Sequence, residues 1–252
     1  NTVTASQSPI LGSIDTSVSA LISGLTDSTT YHYRVIATNL VGTTIGNDAT
    51  FTTLGNKQIS DFDNNVYNTI TIGSQVWMKE NLKVVHYRNG DEIQEGVTVS
   101  IGDVGKYCWY LNNLNYKNTY GALYNFYAVT DSRNLCPNGW HVPTDADWTS
   151  LETYLGGSST AGGKLKESGT THWVNPNTGA DNSSLFTAVP TGYYKNETTG
   201  VGFWGGGRDT AYWWSSTTSL YGAWGRLVRS GSASSYKKEN EMDYLFKDAE
   251  TN

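Results

Sequence analysis

Apolar and polar residues alternate at period two through residues 17–53 and again through 61–78, whereas 120–129 and 143–155 carry the longer period of a helix. In the first stretch Val18, Ala20 and Ile22 share one face of an expected strand over 17–22, followed by a turn at Gly24-Leu25-Thr26-Asp27. Tyr31, Tyr33, Val35 and Ala37 share a face of the next strand, over 30–39. Residues 39–46 read as a turn region, and 49–53 close the segment. Beyond it, 61–67 and 70–78 form an expected hairpin pair, in which Asp63-Asn64-Asn65 supply turn residues that tolerate positive φ. Leu123, Phe126 and Tyr127 fall on one face of an expected helix over 120–129. A second helix begins at Thr144, an N-cap with Asp147 three positions on, in the spacing of a capping box. Trp148, Leu151 and Leu155 line its buried face, and Gly156-Gly157 ends it.

Composition changes along the chain and sharpens this reading. All nine tryptophans lie between Trp77 and Trp224, and the first lysine is Lys57. Two domains are therefore expected: a Thr/Ser-rich β segment over 1–54, a linker at 55–57, and an aromatic- and glycine-rich domain over 58–252. Charged residues make up only 16%, and short polar residues take their place, as in β-rich extracellular proteins with many turns. A net charge of −6 argues against nucleic acid as a partner, since that needs a dense positive face. No run of about 18 apolar residues is present, so no membrane span is expected. The first residues lack the basic and apolar regions of a signal peptide, so such a peptide was removed or the chain is a piece of something longer. Cys108 and Cys136 are the only cysteines. Without a Cys/His cluster around them they make a poor zinc site, and both a disulfide and two buried thiols stay open.

The pattern SGLTDSTTYHYRVIATNLVGTTIG followed by ATFTTL resembles the second half of a fibronectin type III domain, over residues 1–54. Leu25 and Tyr31 match that family's tyrosine-corner region, and Phe51 its last strand. The resemblance implies a partial all-β sandwich, because a complete domain has about 90 residues and seven strands in two sheets. Strands that would precede Asn1 are missing, which leaves edge strands within residues 17–38 open to another strand. Two explanations stay open. The segment is a fragment, or strands of a neighbouring chain complete it in a head-to-tail contact that builds filaments.

In the second domain VYNTITIGSQVWMKENLK, YCWY, YGALYNFYAV, LCPNGWHVPTDADWTSLETYLGG, AGGKLKE, LFTAVPTGYY and YWWSSTTS with AWGRLV occur in order. Together they closely resemble the Fibrobacter succinogenes major paralogous domain, a family of secreted and surface-attached bacterial proteins, over roughly residues 58–236. The block from Gly139 to Trp148 is also similar to its counterpart in C-type-lectin-like and sulfatase-modifying-factor folds. The resemblance implies an α+β, C-type-lectin-like domain, with two helices on a twisted antiparallel sheet and 213–216 in its central strands. It further implies a late cysteine that pairs with Cys136. This chain has none, which puts the closing strand beyond about residue 236 in doubt.

Candidate chemistry is sparse. Asp61, Asp63 and Asn65 imitate the opening of a calcium loop, but Val66 and Ile72 stand where glycine and glutamate are required. Asn175-Pro176-Asn177 and Trp213-Trp214-Ser215-Ser216 lack the carboxylates of a calcium-dependent lectin site, so no metal and no cofactor is expected. No nucleophile elbow of the G-x-S-x-G type occurs, and Gly205-Gly206-Gly207 does not open a helix, so neither hydrolase chemistry nor a phosphate cradle is expected. Asp145 and Asp147 suit the first turn of a helix better than a catalytic pair. His141 reads as structural, and His172 as surface decoration. Aromatic rings on glycine-rich loops remain, and Trp204, Tyr212, Trp224, Tyr193 and Tyr194 are the candidate ligand-binding residues. Trp140, Trp148, Trp213 and Trp214 are expected in the core. The reading is a non-catalytic extracellular or cell-surface bacterial module that binds a glycan or protein ligand in adhesion or recognition. The alternative is a structural subunit of a filament or oligomer.

Overall fold

The computed structural model describes residues 2–10, 14–20, 22, 25–26, 29–53, 57–97, 104–196, 202–220, 222–241 and 244–246. The chain divides into two compact units, Asn1–Asn56 and Lys57–Asn252.

The first unit holds β1 (Thr30–Tyr33), β2 (Ile36–Thr38), β3 (Thr43–Ile45) and β4 (Ala49–Thr52), arranged as two separate antiparallel pairs, β1–β4 and β2–β3. The single strand expected over 30–39 is thus broken. Between its halves, Val35 O accepts the Gly46 N–H at 2.8 Å, and each half takes a different partner. The strand expected over 17–22 is not formed at its described residues. Ser19 instead gives its carbonyl to Ser6 N–H and its N–H to the Gln7 side chain, which removes them from any ladder. The turn expected at 24–27 and the linker at 55–57 lie in part outside the described residues. Tyr31 stacks on Phe51 with ring centres 5.8 Å apart, and its hydroxyl accepts the Thr26 N–H at 2.7 Å, five residues upstream. None of the described residues 2–53 is buried, and Tyr33, Val35, Ile36 and Ile45 are each about half exposed.

The second unit mixes small sheets with short helices. The hairpin expected from 61–67 and 70–78 forms with shifted bounds: β6 (Val66–Ile72) runs across the expected break, β7 (Gln75–Met78) follows it, and β5 (Gln58–Ser60), outside the expected range, pairs on the other side of β6. Asn64 takes φ 61°, and Asp61 Oδ1 accepts the Asn65 N–H at 2.9 Å. Asp63 accepts from the Val85 N–H and bonds His86 Nδ1, so both carboxylates that imitate a calcium loop pin this turn instead. The remaining strands are β8 (Gln94–Glu95), β9 (Lys106–Trp109), β10 (Ala122–Asn125), β11 (Thr191–Asn196), β12 (Gly202–Gly207), β13 (Thr210–Thr218), β14 (Gly222–Arg229), β15 (Ser235–Glu241) and β16 (Tyr244–Phe246). They build a six-stranded sheet, β12-β11-β16-β10-β9-β8, and a three-stranded sheet, β13-β14-β15. Every pair is antiparallel except β8–β9. The expected single antiparallel sheet is thereby divided. Trp213–Ser216 lies in β13, an outer strand of the smaller sheet, and two strands, β15 and β16, follow Ser234.

The helices are α1 (Lys117–Tyr120), α2 (Phe126–Val129), α3 (Asp145–Tyr154) and α4 (Ser158–Leu165). The helix expected over 120–129 is replaced by strand β10 and the single turn α2. Gly121 at φ 68° breaks the chain direction, and Asn125 caps the turn by accepting the Ala128 N–H. All four β10 residues are buried between β9 and β16, and a short, mostly apolar run such as Ala122–Tyr124 reads equally as buried strand or helix. Helix α3 forms as expected. Thr144 and Asp147 make a full capping box, and Trp148 and Leu151 are buried. Helix α4 follows after Gly156 and Gly157. Two glycines in its interior disfavour a helix by about 1 kcal/mol each, but no side chain fits there. A Cβ on Gly162 would meet Ser234 O and one on Gly163 would meet Gly179 O, both well inside contact distance.

Seven of the nine tryptophans are buried, and Trp204 and Trp224 are the partly exposed pair. Trp77, Trp148, Trp173 and Trp213 belong to the core between α3, α4 and the small sheet, while Trp109, Trp140 and Trp214 belong to the core on its other side. Two of the buried indoles find backbone acceptors: Trp214 Nε1 donates to Tyr124 O at 2.8 Å and Trp173 Nε1 to Ala188 O at 2.9 Å. Trp77 Nε1 is buried without a hydrogen-bond partner among the described residues. Cys108 and Cys136 are free and buried. Burial pushes the Cys108 thiol far above the usual range, so it is held as an inert thiol.

Candidate functional site

The five aromatic residues singled out by sequence occupy three separate places. Neighbouring residues of a strand point to opposite faces, and this separates Tyr193 from Tyr194 on β11. Tyr193 meets Tyr212 of β13 edge to face, with ring centres 5.0 Å apart. Tyr194 meets Trp204 of β12 at 5.1 Å, against Cys108 and Leu123. Trp224 lies apart from both, on β14.

The Tyr193–Tyr212 pair lines a groove of about 270 Å³ together with Gly206, Asp209, Thr210 and Arg229. Strand pairing explains its shape. Tyr193 lies opposite Gly205, and a Cβ there would fall about 2.5 Å from the tyrosine ring, so the glycine leaves room for the ring to lie across the ladder. Gly206, at φ 65°, supplies the left-handed residue just before β13 turns back. Thr210 pairs with Arg229 across β13–β14, which brings Asp209, the residue before Thr210, near Arg229 at the groove although the two are far apart in the sequence. Asp209 Oδ1 accepts the Thr210 hydroxyl at 2.8 Å, and its carbonyl accepts the Ser230 N–H at 2.7 Å. Tyr212 is buried, while Tyr193 is half-buried. Two residues from it, Thr191 is fully buried, and its hydroxyl has no hydrogen-bond partner among the described residues.

The second place is an aromatic cluster. Tyr110 packs edge to face on Trp204 at 5.8 Å, on Tyr116 at 5.3 Å and on Tyr120 at 5.1 Å. These contacts engage the ring faces with one another, so the cluster is not a flat platform of the kind expected for Trp204. It binds the 110–120 segment to β11 and β12. In that segment Leu111 and Asn112 both take φ 52°, and Leu111 and Leu114 are exposed. A leucine held in this left-handed region costs about 1–2 kcal/mol.

At the third place the Lys237 ammonium lies 4.1 Å over the centre of the Trp224 ring and covers one face. The same ammonium is 2.7 Å from Asp145 Oδ2 at the start of α3. Arg226, two residues along β14, is buried and reaches Asp145 Oδ1 at 2.7 Å and Glu152 Oε1 at 3.0 Å. Burial pushes the Asp145 carboxyl up, but hydrogen bonds from Lys237 and Arg226 outweigh it and hold the carboxyl below the usual range. Trp224 thus borders an ion-pair network that ties α3 to β14 and β15.

The histidines and the remaining groove were not marked as binding residues in the sequence. Each of the four histidines faces a carboxylate: His32 Asp48, His86 Asp63, His141 Asp147, and His172 Glu167. His141 Nε2 is 3.1 Å from Asp147 Oδ2. That oxygen also accepts from the N–H and hydroxyl of Thr144, so the histidine is attached to the helix cap. Burial pushes the Asp147 carboxyl up, and the bonds from Thr144 and His141 bring it below its ordinary value. A shallow groove of about 320 Å³ beside His141 is lined by Val129, Asp131, Asn134, Val142 and Ser216. The Ser216 hydroxyl donates to Val142 O at 3.0 Å, so it is committed to backbone. Among the described residues no group of three or more His, Cys, Asp or Glu side chains is arranged to hold a metal ion, and no helix is long and apolar enough to cross a membrane.

Of the three places, the Tyr193–Tyr212 groove alone joins two of the expected residues with a carboxylate and a guanidinium. Asp209 and Arg229 were missed in the sequence because one lies in the turn before β13 and the other on β14, and the β13–β14 pairing that brings them together is not a local signal. Family comparison matches residues 70–247 to the Fibrobacter succinogenes major domain. No curated protein and no solved structure matches the chain.

Proposed function

We propose, for a chain that belongs to the Fibrobacter succinogenes major domain family, a role as a non-catalytic extracellular bacterial recognition module that holds a hydroxyl-rich glycan in the Tyr193–Tyr212 groove. The fold is read as C-type-lectin-like, with the first unit as a partial fibronectin type III-like sandwich. The observation that carries this reading is the meeting of Tyr193, Tyr212, Asp209 and Arg229 around one opening. A carboxylate accepts from sugar hydroxyls, a guanidinium donates to ring and hydroxyl oxygens, and a tyrosine offers both an apolar ring and a hydroxyl. At about 270 Å³ the groove lies near the lower end of small-ligand sites, about 300 Å³, which suits one sugar unit of a longer chain. Glycan-array binding followed by calorimetry on the full chain tests it. Tyr193→Ala is expected to weaken retention of any glycan hit at least tenfold while the melting temperature changes little, because the ring is half-buried on glycine. Unchanged retention would remove the groove as the site.

A second reading has its own observation. The first unit buries none of its described residues, and among the described residues each of its two-stranded sheets has no further strand paired at its edges. Apolar side chains on such a surface favour a structural role in which a neighbouring chain supplies the missing cover, as in strand addition. Light scattering on the full chain separates the two. Particles near 28 kDa (the chain is 27.6 kDa) retire the assembly reading, and regular oligomers that disappear on deletion of residues 1–54 establish it.

A further inference from the structure

We propose that the Tyr193–Tyr212 groove selects saccharides that carry a carboxylate, such as uronates, with Arg229 as the residue that binds the anion. The inference rests on the glycan reading of the groove and adds the charge of the ligand.

Arg229 is set apart by its lack of a partner. Every other described arginine of the second unit is committed: Arg88 to the carbonyls of Cys136, Pro137 and Trp140, Arg133 to Asp91 and Asp131, Arg208 to the carbonyls of Thr171 and His172, and Arg226 to Asp145 and Glu152. The Arg229 side chain is exposed at the groove and makes no hydrogen bond or ion pair among the described residues. Asp209 lines the same groove, yet the two are not joined as an ion pair. Its carboxylate is turned toward the Thr210 hydroxyl. A charge left open beside a groove suits a planar anion that guanidinium can grip with two parallel N–H donors.

A second positive charge is bonded to the Arg229 backbone. The carbonyl of Arg229 accepts from Lys166 Nζ at 2.9 Å, and that ammonium is fully buried with three carbonyl partners and no carboxylate. An uncompensated buried cation raises the local potential although the chain as a whole carries a net charge of −6. The backbone of Arg229 is held by that bond and by its pairing with Thr210, so its side chain starts from a fixed point. Around it, the Asp209 carboxylate accepts from the hydroxyls of the same sugar, and Tyr193 and Tyr212 line the groove beside it. One anionic site beside several hydroxyl-binding groups describes a sugar acid better than a free inorganic anion, which would find only the guanidinium.

The test is calorimetry on the full chain with a galacturonate trisaccharide and its neutral galactose counterpart, at low and at 1 M salt. The acidic sugar is expected to bind about tenfold more tightly at low salt, and the preference should shrink at 1 M, where charges are screened within about 3 Å. Arg229→Gln should weaken the acidic sugar more than the neutral one and so abolish the preference, and Tyr193→Ala should weaken both sugars and keep it. Equal affinity for the two sugars, or a preference that survives Arg229→Gln, overturns the proposal and leaves the glycan reading standing. Binding of neither sugar to the native chain, with hits on the array confined to other glycans that are neutral, also overturns it.

Discussion

Replacing Lys166 by alanine is expected to remove about 3–5 kcal/mol of stability, measured by urea unfolding at pH 7. The side chain is fully buried, and its ammonium donates to Thr178 O at 2.9 Å, Arg229 O at 2.9 Å and Ser232 O at 2.8 Å. These carbonyls come from two segments, one before β11 and one joining β14 to β15, and the lysine leaves the end of α4. The charge therefore ties three parts of the second unit that have no ladder between them. Alanine leaves three buried carbonyls without a donor, at about 1–3 kcal/mol each before relaxation, and a void beside Trp173, whose ring centre is 5.5 Å from Nζ. Lys166→Met separates the two causes. If lost donors dominate, methionine recovers little, and recovery of most of the loss would mean that the void was the cause.

The pH dependence has a definite sign. Burial lowers the Lys166 pKa from 10.5 to about 8. The group is a base whose folded value is depressed, so between pH 8 and 10.5 the unfolded chain binds more protons than the folded one. Stability from this group accordingly rises with pH across that window, the reverse of a lysine in a surface ion pair. Lys166→Met should lack that rise. A native chain whose contribution at this site instead falls from pH 8 to 10 would show that the three carbonyls stabilise the ammonium more than burial opposes it.

Local signals made some of this structure legible in the sequence, and the failures share a physical cause. Helix α3 is readable because its cap, its first-turn acids and its apolar stripe all lie within about a dozen residues, and each is satisfied within the helix. A hairpin within 61–78 is readable because its Asn-rich turn is equally local, whereas β5 and the exact strand bounds are not. The run from Ala122 to Tyr124 is apolar, and only the neighbours β9 and β16 decide that it belongs to a strand. Helix α4 is hidden by Gly162 and Gly163, residues chosen for close approach to Ser234 and Gly179 at the expense of helix propensity. The same holds at the groove. Tyr193 and Tyr212 stood out as aromatics near glycines, but nothing near Tyr194 in the sequence says that it points the other way from Tyr193. Lys166, between Leu165 and Glu167, carries no local sign of burial in the sequence, yet it is fully buried.

Arg226→Met is expected to destabilise the chain by about 3–5 kcal/mol, because it leaves Glu152 buried and charged without its partner. Glu152 is 9% exposed, and its Oε1 accepts from Arg226 Nε at 3.0 Å and from the Ser235 hydroxyl at 2.7 Å. Arg226 also donates to Asp145 Oδ1 at 2.7 Å and to the Thr149 hydroxyl at 3.3 Å, so one guanidinium holds both ends of α3 against the sheet. The pair itself is a poor source of net stability, since removing two charges from water offsets most of their attraction. That asymmetry predicts the outcome of a double-mutant cycle. Arg226→Met with Glu152→Gln should be more stable than Arg226→Met alone by about 2 kcal/mol or more, as the orphaned charge is gone. Additive losses would instead show that packing of the long arginine stem, not its charge, holds α3 in place. Acid titration gives an independent reading. Asp145 has a depressed carboxyl in the fold, so its contribution is complete above the ordinary value of 3.8 and is lost as pH falls through the lower folded value. Native protein should therefore lose stability below pH 4 more steeply than Arg226→Met, in which Asp145 keeps only Lys237. If both lose it in parallel, the guanidinium does not set the Asp145 carboxyl, and the network is held by Lys237.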